Sequence, residues 1–372
     1  MRIGFDAKRM FKNTSGLGNY SRSTLELLSK YYPDNRYFLY SAFDENKVGF
    51  EIPDGVEVVT PSTFIGDIVP ALWRSGFMAK DIRRHRLDIY HGLSNELPYD
   101  IREGGAKSVV SIHDLIYIRY PNLYSKIDCY LYKKKYKRSC EYADKVIAIS
   151  RQTKEDIMEF WKIPEERIAV VYQGCNPIFY EKVSEPFKEA VRKKYDLPSE
   201  YILSVGTLEE RKNLMLTLHA MVEGKIDIPL VACGKWTPYA DELMKYAEEK
   251  GIANRVFFHH DIEMADLPAV YQMASVAVYV SLFEGFGIPI LEALNSEVPM
   301  ITSKGGVFKE TGGDACLYVG QYDLEDMIEA LKKALYNSDI RRDMIEKGNA
   351  YVLNFRDDKV AANLYRVYES LL

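Results

Sequence analysis

Short β-branched and aromatic runs alternate with helical patterns along almost the whole chain, and this alternation restricts the fold more than any other feature. In the first half the runs are RIGFDA, RYFLYSA, VEVVTP, DIYHGL, SVVSIHD, KVIAIS and IAVVYQG. In the second they are YILSVGT, PLVACGK, VFFHH, SVAVYVSL, PMITS and CLYVG. Continuous apolar runs separated by helices predict parallel strands covered on both faces. Each half is therefore expected to be a doubly wound α/β domain. A chain of 372 residues exceeds what one core usually serves, which agrees with two domains. The polar, proline-bearing segment from Asn176 to Ser199 is the expected join. The division drawn is 1–180, 181–354 and a last helix at 355–372, with Val360, Leu364, Val367, Tyr368 and Leu371 on one stripe.

Composition excludes several classes. A net charge of −5 argues against a chain built to coat nucleic acid. The 5 cysteines are scattered without C-x-x-C spacing and read as free thiols in a reducing compartment. The start, MRIGFDAKRM, reads as a strand and not a signal peptide. No window approaches the roughly 18–20 apolar residues of a spanning helix, so a cytoplasmic location is expected.

In doubly wound sheets ligands sit beyond the carboxyl ends of the strands, so the loops there are the candidates. In VGTLEERKNL a strand ends at Gly206, and Arg211 and Lys212 precede Asn213, a residue type that caps helices. Two cations beside a helix start suit a diphosphate; a solvated turn pairing Arg211 with Glu209 or Glu210 is the plainer reading. In SLFEGFGIPILEAL, Glu284 and Glu292 bracket a Gly-Phe-Gly turn and a helix opened by Pro289. Ionised carboxylates only accept hydrogen bonds, which fits sugar hydroxyls; a turn residue and a helix-dipole partner are the alternatives. Near the N-terminus, Gly16 and Gly18 form a turn without the third glycine of a dinucleotide fingerprint. His91 and His113-Asp114 fall at strand ends, where each histidine reads either as a satisfied structural residue or as a ligand-side one; beside a sugar, His113 would donate to a hydroxyl or relay a proton. His259 and His260 point to opposite faces of a strand and do not suggest a shared metal. The chain has no Asp-x-Asp pair, Walker loop or G-x-S-x-G elbow, so neither metal nor cofactor is expected. Two basic segments with interleaved aromatics, LWRSGFMAKDIRRHRL and Lys133 to Arg138, read either as solvated helix faces or as peripheral contacts with the inner face of a membrane.

Together these segments resemble the retaining GT-B glycosyltransferases of family 4 (glycosyl transferases group 1). Glu284 to Glu292 matches the family's E-x7-E motif, GTLEERKNL its phosphate loop, and ADKVIAISRQTKEDI, RIAVVYQGCNPIF and PMITSKGGVFKETGGDACLYV its flanking segments. The resemblance implies two Rossmann-like domains facing across a cleft, an acceptor-binding first domain and a nucleotide-sugar-binding second one. It implies a UDP-, GDP- or ADP-sugar donor, a glycan or lipid-linked acceptor, and surface polysaccharide as the product. His113, Lys212 and Glu284 would be catalytic. Gly16, Gly206, Thr207, Arg211, Ile262, Gly285, Phe286, Gly287, Ile288 and Glu292 would complete the donor site, with Asn19, His91 and Asp114 toward the acceptor. Thr207 stands where many relatives have arginine, leaving Arg211 as the second cation. The rival readings are a non-hydrolysing nucleotide-sugar 2-epimerase and a catalytically silent nucleotide-sugar-binding protein, with an NAD-dependent oxidoreductase third.

Overall fold

All thirteen apolar runs form strands, in the computed structural model that describes residues 1–42, 46–61 and 70–372. The first sheet contains β1 (Arg2–Asp6), β2 (Arg36–Tyr40), β3 (Glu57–Val59), β4 (Ile89–Gly92), β5 (Lys107–Ile112), β6 (Lys145–Ala148) and β7 (Ile168–Val170). The second contains β8 (Ile202–Val205), β9 (Leu230–Cys233), β10 (Val256–His259), β11 (Val276–Tyr279), β12 (Met300–Ser303) and β13 (Cys316–Val319). Every pairing is parallel. Central strands such as β9, β11 and β12 are buried at every position, the reason their sequences are continuously apolar.

Strand order fixes which loops come together. The first sheet runs β3-β2-β1-β4-β5-β6-β7 and the second β10-β9-β8-β11-β12-β13. In each the chain winds outward from its first strand, then returns to that strand's other side. The reversal points, β1/β4 and β8/β11, are where such sheets leave a crevice. The loop after β8 carries Gly206, Arg211 and Lys212, and the loop after β11 carries Glu284, Gly285 and Gly287.

The chain divides into the unit Met1–Gln173 with Arg356–Leu372, and the unit Gly174–Phe355. The helices that bear on function are α1 (Gly16–Tyr31), α2 (Lys126–Tyr142), α3 (Leu214–Glu223), α4 (Ile288–Asn295) and α5 (Asp357–Glu369). Although last in the chain, α5 packs on α1 in the first unit. It buries Ala361, Leu364, Val367 and Tyr368, with Tyr365 stacked on Tyr32 at 3.7 Å between ring centroids. Burial of Leu364 and Val367 contributes roughly 1.5–3 kcal/mol each. Val360 and Leu371, expected on that stripe, are only half-buried.

Candidate active site

The loop after β8 is stitched to the loop after β11. Leu282 N–H donates to the Arg211 carbonyl at 2.8 Å, and Arg211 Nη1 donates to the Phe283 carbonyl at 2.6 Å. Asn213 completes the seam. It adopts a left-handed backbone (φ 56°), and its Nδ2 donates to the Gln321 carbonyl at 2.7 Å. The expected helix cap is therefore corrected: Asn213 makes no side-chain bond to the start of α3, because its amide is spent on distant carbonyls.

This seam places both cations on one carboxylate. Glu284 Oε1 lies 2.6 Å from Lys212 Nζ and 2.8 Å from Arg211 Nη1. Burial alone would raise the Glu284 pKa, but Lys212 and Arg211 outweigh it and hold the group at about 2. Arg211 also meets Glu209 at 2.6 Å, so the four charges balance in the free protein. The Tyr279 hydroxyl accepts from Lys212 Nζ at 3.0 Å, and the ammonium stands 4.9 Å from its ring centroid.

The floor beside Lys212 is glycine. Gly206 has φ 142°, and its open face lies under the Lys212 side chain. Behind it, a Cβ on Gly234 would overlap the Gly206 carbonyl, so the two backbones touch only because residue 234 has no side chain. Gly206, Thr207, Lys212 and Tyr279 line one recess. Gly285, Phe286 and Gly287 are buried in the turn that leads to Ile288, the first residue of α4. Ile262 is half-buried, just beyond β10.

Glu292 has a different environment. It lies buried within α4, and its only side-chain hydrogen bond among the described residues is from the Tyr271 hydroxyl, at 2.8 Å to Oε2. Burial, partly offset by that bond, pushes its pKa up to about 7. Below pH 4.5 the group is protonated folded and unfolded alike; as pH rises toward 7, only the unfolded chain ionises it. Stability of this unit should thus fall by about 3 kcal/mol over that window. Glu292→Gln is expected to lessen the drop in melting temperature between pH 5 and pH 8. An unchanged drop would show that Glu292 is ionised in the fold throughout.

In the first unit, His113 is buried and donates from Nε2 to the Leu93 carbonyl at 2.8 Å, edge-on to Tyr20. Burial lowers its pKa to about 4, so the ring is neutral and Nδ1 is an acceptor. With its proton on Nε2, His113 has none on Nδ1 to give, so the expected donation to a hydroxyl is corrected on that ground. His91 is fully buried, Nδ1 at 2.7 Å from the Tyr368 hydroxyl and Nε2 at 2.8 Å from Ser111 Oγ. With both nitrogens engaged it cannot face an acceptor, and that expectation is corrected to a structural role. Asp114 accepts from Ile116 N–H at 3.2 Å, Asn19 accepts from Arg22 at 2.6 Å, and Gly16 lies exposed at the start of α1. Among the described residues, no group of three or more His, Cys, Asp or Glu side chains is placed to hold a metal ion.

Two family models match the chain in succession: Glycosyltransferase Family 4 over residues 21–178 and Glycosyl transferases group 1 over residues 187–351. The chain belongs to the family 4 glycosyltransferases. This glycosyltransferase is 26% identical over 296 residues to O-antigen chain mannosyltransferase B of Escherichia coli, covering 78% of the present chain and 76% of that one. It is 27% identical to the O-antigen chain mannosyltransferase RfbU of Salmonella typhimurium, covering 68% and 66% of the two chains. Its GT-B fold is shared with Anabaena HepE in complex with UDP-glucose (17% identical, TM-score 0.77, 100% of both chains). A glycosyltransferase from Rickettsia africae is also similar (16% identical, TM-score 0.76, 100% and 98% covered).

Reading the glycosyltransferase as a sequence missed Tyr279 and Tyr271, the hydroxyl partners of Lys212 and Glu292. Both sit in apolar runs, where a tyrosine reads as core.

Proposed function

We propose that this glycosyltransferase moves a hexose from a nucleotide diphosphate to a hydroxyl of a glycan or lipid-linked acceptor, with retention of anomeric configuration, in surface polysaccharide synthesis. The names of the O-antigen relatives favour a mannosyl group, and UDP-glucose in HepE supports the donor class. Residues 1–180 would serve the acceptor, 181–354 the donor, and 355–372 return to the first domain. A cytoplasmic location suits an enzyme that draws on nucleotide sugars. The observation that carries the reading is Glu284, clamped by Lys212 and Arg211 over a side-chain-free floor at the β8/β11 reversal.

The free-state ion pairs are a preassembled form of the donor site. An arriving diphosphate draws Lys212 Nζ from Glu284, and the released carboxylate accepts the hydroxyls of the transferred sugar. As the bond from C1 to the phosphate oxygen breaks, charge grows on the departing diphosphate. Lys212, Arg211 and the N–H groups from Gly285 to Ile288 meet it, in a recess where such interactions are strong. Thr207 and Gly206 let the phosphates approach, and Gly16 offers main-chain contact from the α1 start. Glu292 accepts from the ribose, whose hydroxyls favour its ionised form, and Ile262 contacts the base. His113 accepts a sugar hydroxyl at Nδ1; Asn19 and Asp114 remain the acceptor-side candidates.

The test is a thermal-shift screen against GDP-mannose, UDP-glucose and ADP-glucose. One nucleotide class should stabilise the protein, by about 2.7 kcal/mol at a hundredfold excess over Kd. No shift with any donor, together with no transfer, would overturn the proposal. Because two side-chain cations neutralise the diphosphate, EDTA should leave turnover unchanged. Loss of activity restored by added magnesium would show that metal independence is wrong.

A further inference from the structure

The two basic segments of the sequence meet in the first unit. Arg74 belongs to one, and Lys135 and Arg138, on α2, belong to the other; with Asp6, Glu96 and Tyr99 they line a single recess. Asp6 ends β1 and Glu96 follows β4, so the recess stands at the reversal point of the first sheet. That is the place where a doubly wound sheet leaves room for a ligand.

The charges around this recess do not balance. Arg74 takes both carboxylates, Asp6 at 2.6 Å and Glu96 at 3.3 Å, and a purely structural network would need no further cation. Lys135 nevertheless reaches Glu96 at 3.9 Å, while Lys8 and Arg138 form no ion pair among the described residues. Arg138 stacks on the rings of Tyr99 and Tyr142, at 4.2 Å from each centroid, and its Nη1 has no hydrogen-bond partner among the described residues. Lys8 adjoins the same charges: partial burial, Arg74 and Arg9 lower its pKa, against Glu96 and Asp6. Four cations (Lys8, Arg74, Lys135, Arg138) against two carboxylates leave a surplus of two positive charges, in a chain whose net charge is −5. A neutral occupant would leave that surplus unmet, and an anion would meet it. Tyr99 is 48% exposed, so its ring offers a flat apolar surface beside the cations.

We propose that this recess holds an acidic sugar residue of the acceptor, its phosphate or carboxylate against Lys8, Lys135 and Arg138 and its ring on Tyr99. The inference rests on sugar transfer as the reaction and adds the chemical class of the acceptor. Calorimetric titration of the full chain with mannose, mannose 6-phosphate and glucuronate tests it. At least one acidic sugar should bind, mannose at least tenfold more weakly, and the binding should fall as salt is raised. Binding of mannose 6-phosphate alone would make the anion a phosphate, and of glucuronate alone a carboxylate. Lys8→Gln/Lys135→Gln should lower the affinity at least tenfold. Both replaced side chains are exposed, so melting temperature and the donor-induced shift should match the parent. Lys212→Ala should leave the affinity unchanged, because Lys212 belongs to the second sheet's loops. Mannose binding as tightly as the acidic sugars, no binding of either acidic sugar, parent-like affinity in the glutamine variant, or a loss confined to Lys212→Ala would each overturn the proposal. Acidic-sugar binding that the glutamine variant loses, without a shift from any donor, would instead overturn sugar transfer and leave this site standing.

Discussion

Lys212→Ala is expected to lower kcat by about 10²–10³-fold, equivalent to roughly 2.7–4 kcal/mol of transition-state stabilisation. Its effect on folding should be far smaller. Without the ammonium, Glu284 still has Arg211 at 2.8 Å, so no buried carboxylate is stranded. Gly206 and its contact with Gly234 are untouched, so the floor of the recess persists. Turnover with a saturating donor, measured beside the melting temperature, separates the two effects. Equal kcat in variant and parent would remove Lys212 from the chemistry.

Glu284→Ala should fail in the opposite way, through stability as well as activity. It strands Lys212 and Arg211, both mostly buried, with only neutral partners and the half-exposed Glu209. Removing one member of a buried ion pair typically costs about 3–5 kcal/mol. In a unit of this size that corresponds to a fall in melting temperature of roughly 6–20 °C. Acid should reproduce part of the loss. The group is held at about 2 folded against 4.5 unfolded, so its stabilisation is complete above pH 4.5 and is lost as pH falls toward 2. Calorimetry of parent and variant at pH 7 and pH 3 reads both effects. A variant as stable as the parent at pH 7 would mean the three side chains do not form the clamp described. Glu292 titrates with the opposite sign above pH 4.5, so the two glutamates of one motif have separable pH signatures.

Much of this architecture was legible in the residues. All thirteen strands could be read because a strand covered on both faces must be apolar throughout, a local property. Arg211, Lys212 and Glu284 were candidates for the same reason: charges directly after buried strands stand out. Partnership was harder to read. Lys212 and Glu284 are 72 residues apart and meet only because β8 and β11 are neighbours in the sheet. Asn213 has the side chain of a helix cap, yet its seam partner Gln321 lies 108 residues on. His91 looked like a ligand-facing strand end until the last helix brought Tyr368, 277 residues away, onto its ring.

The sequence by itself determined the strands, the helices between them and the residue types available at the strand ends, because these depend on local periodicity and side-chain chemistry. The tertiary structure alone decided which glutamate is ionised, which histidine is sealed and which lysines face solvent. The charge state of a buried group depends on what lies within about 4 Å of it, and strand order, not distance along the chain, sets those neighbours.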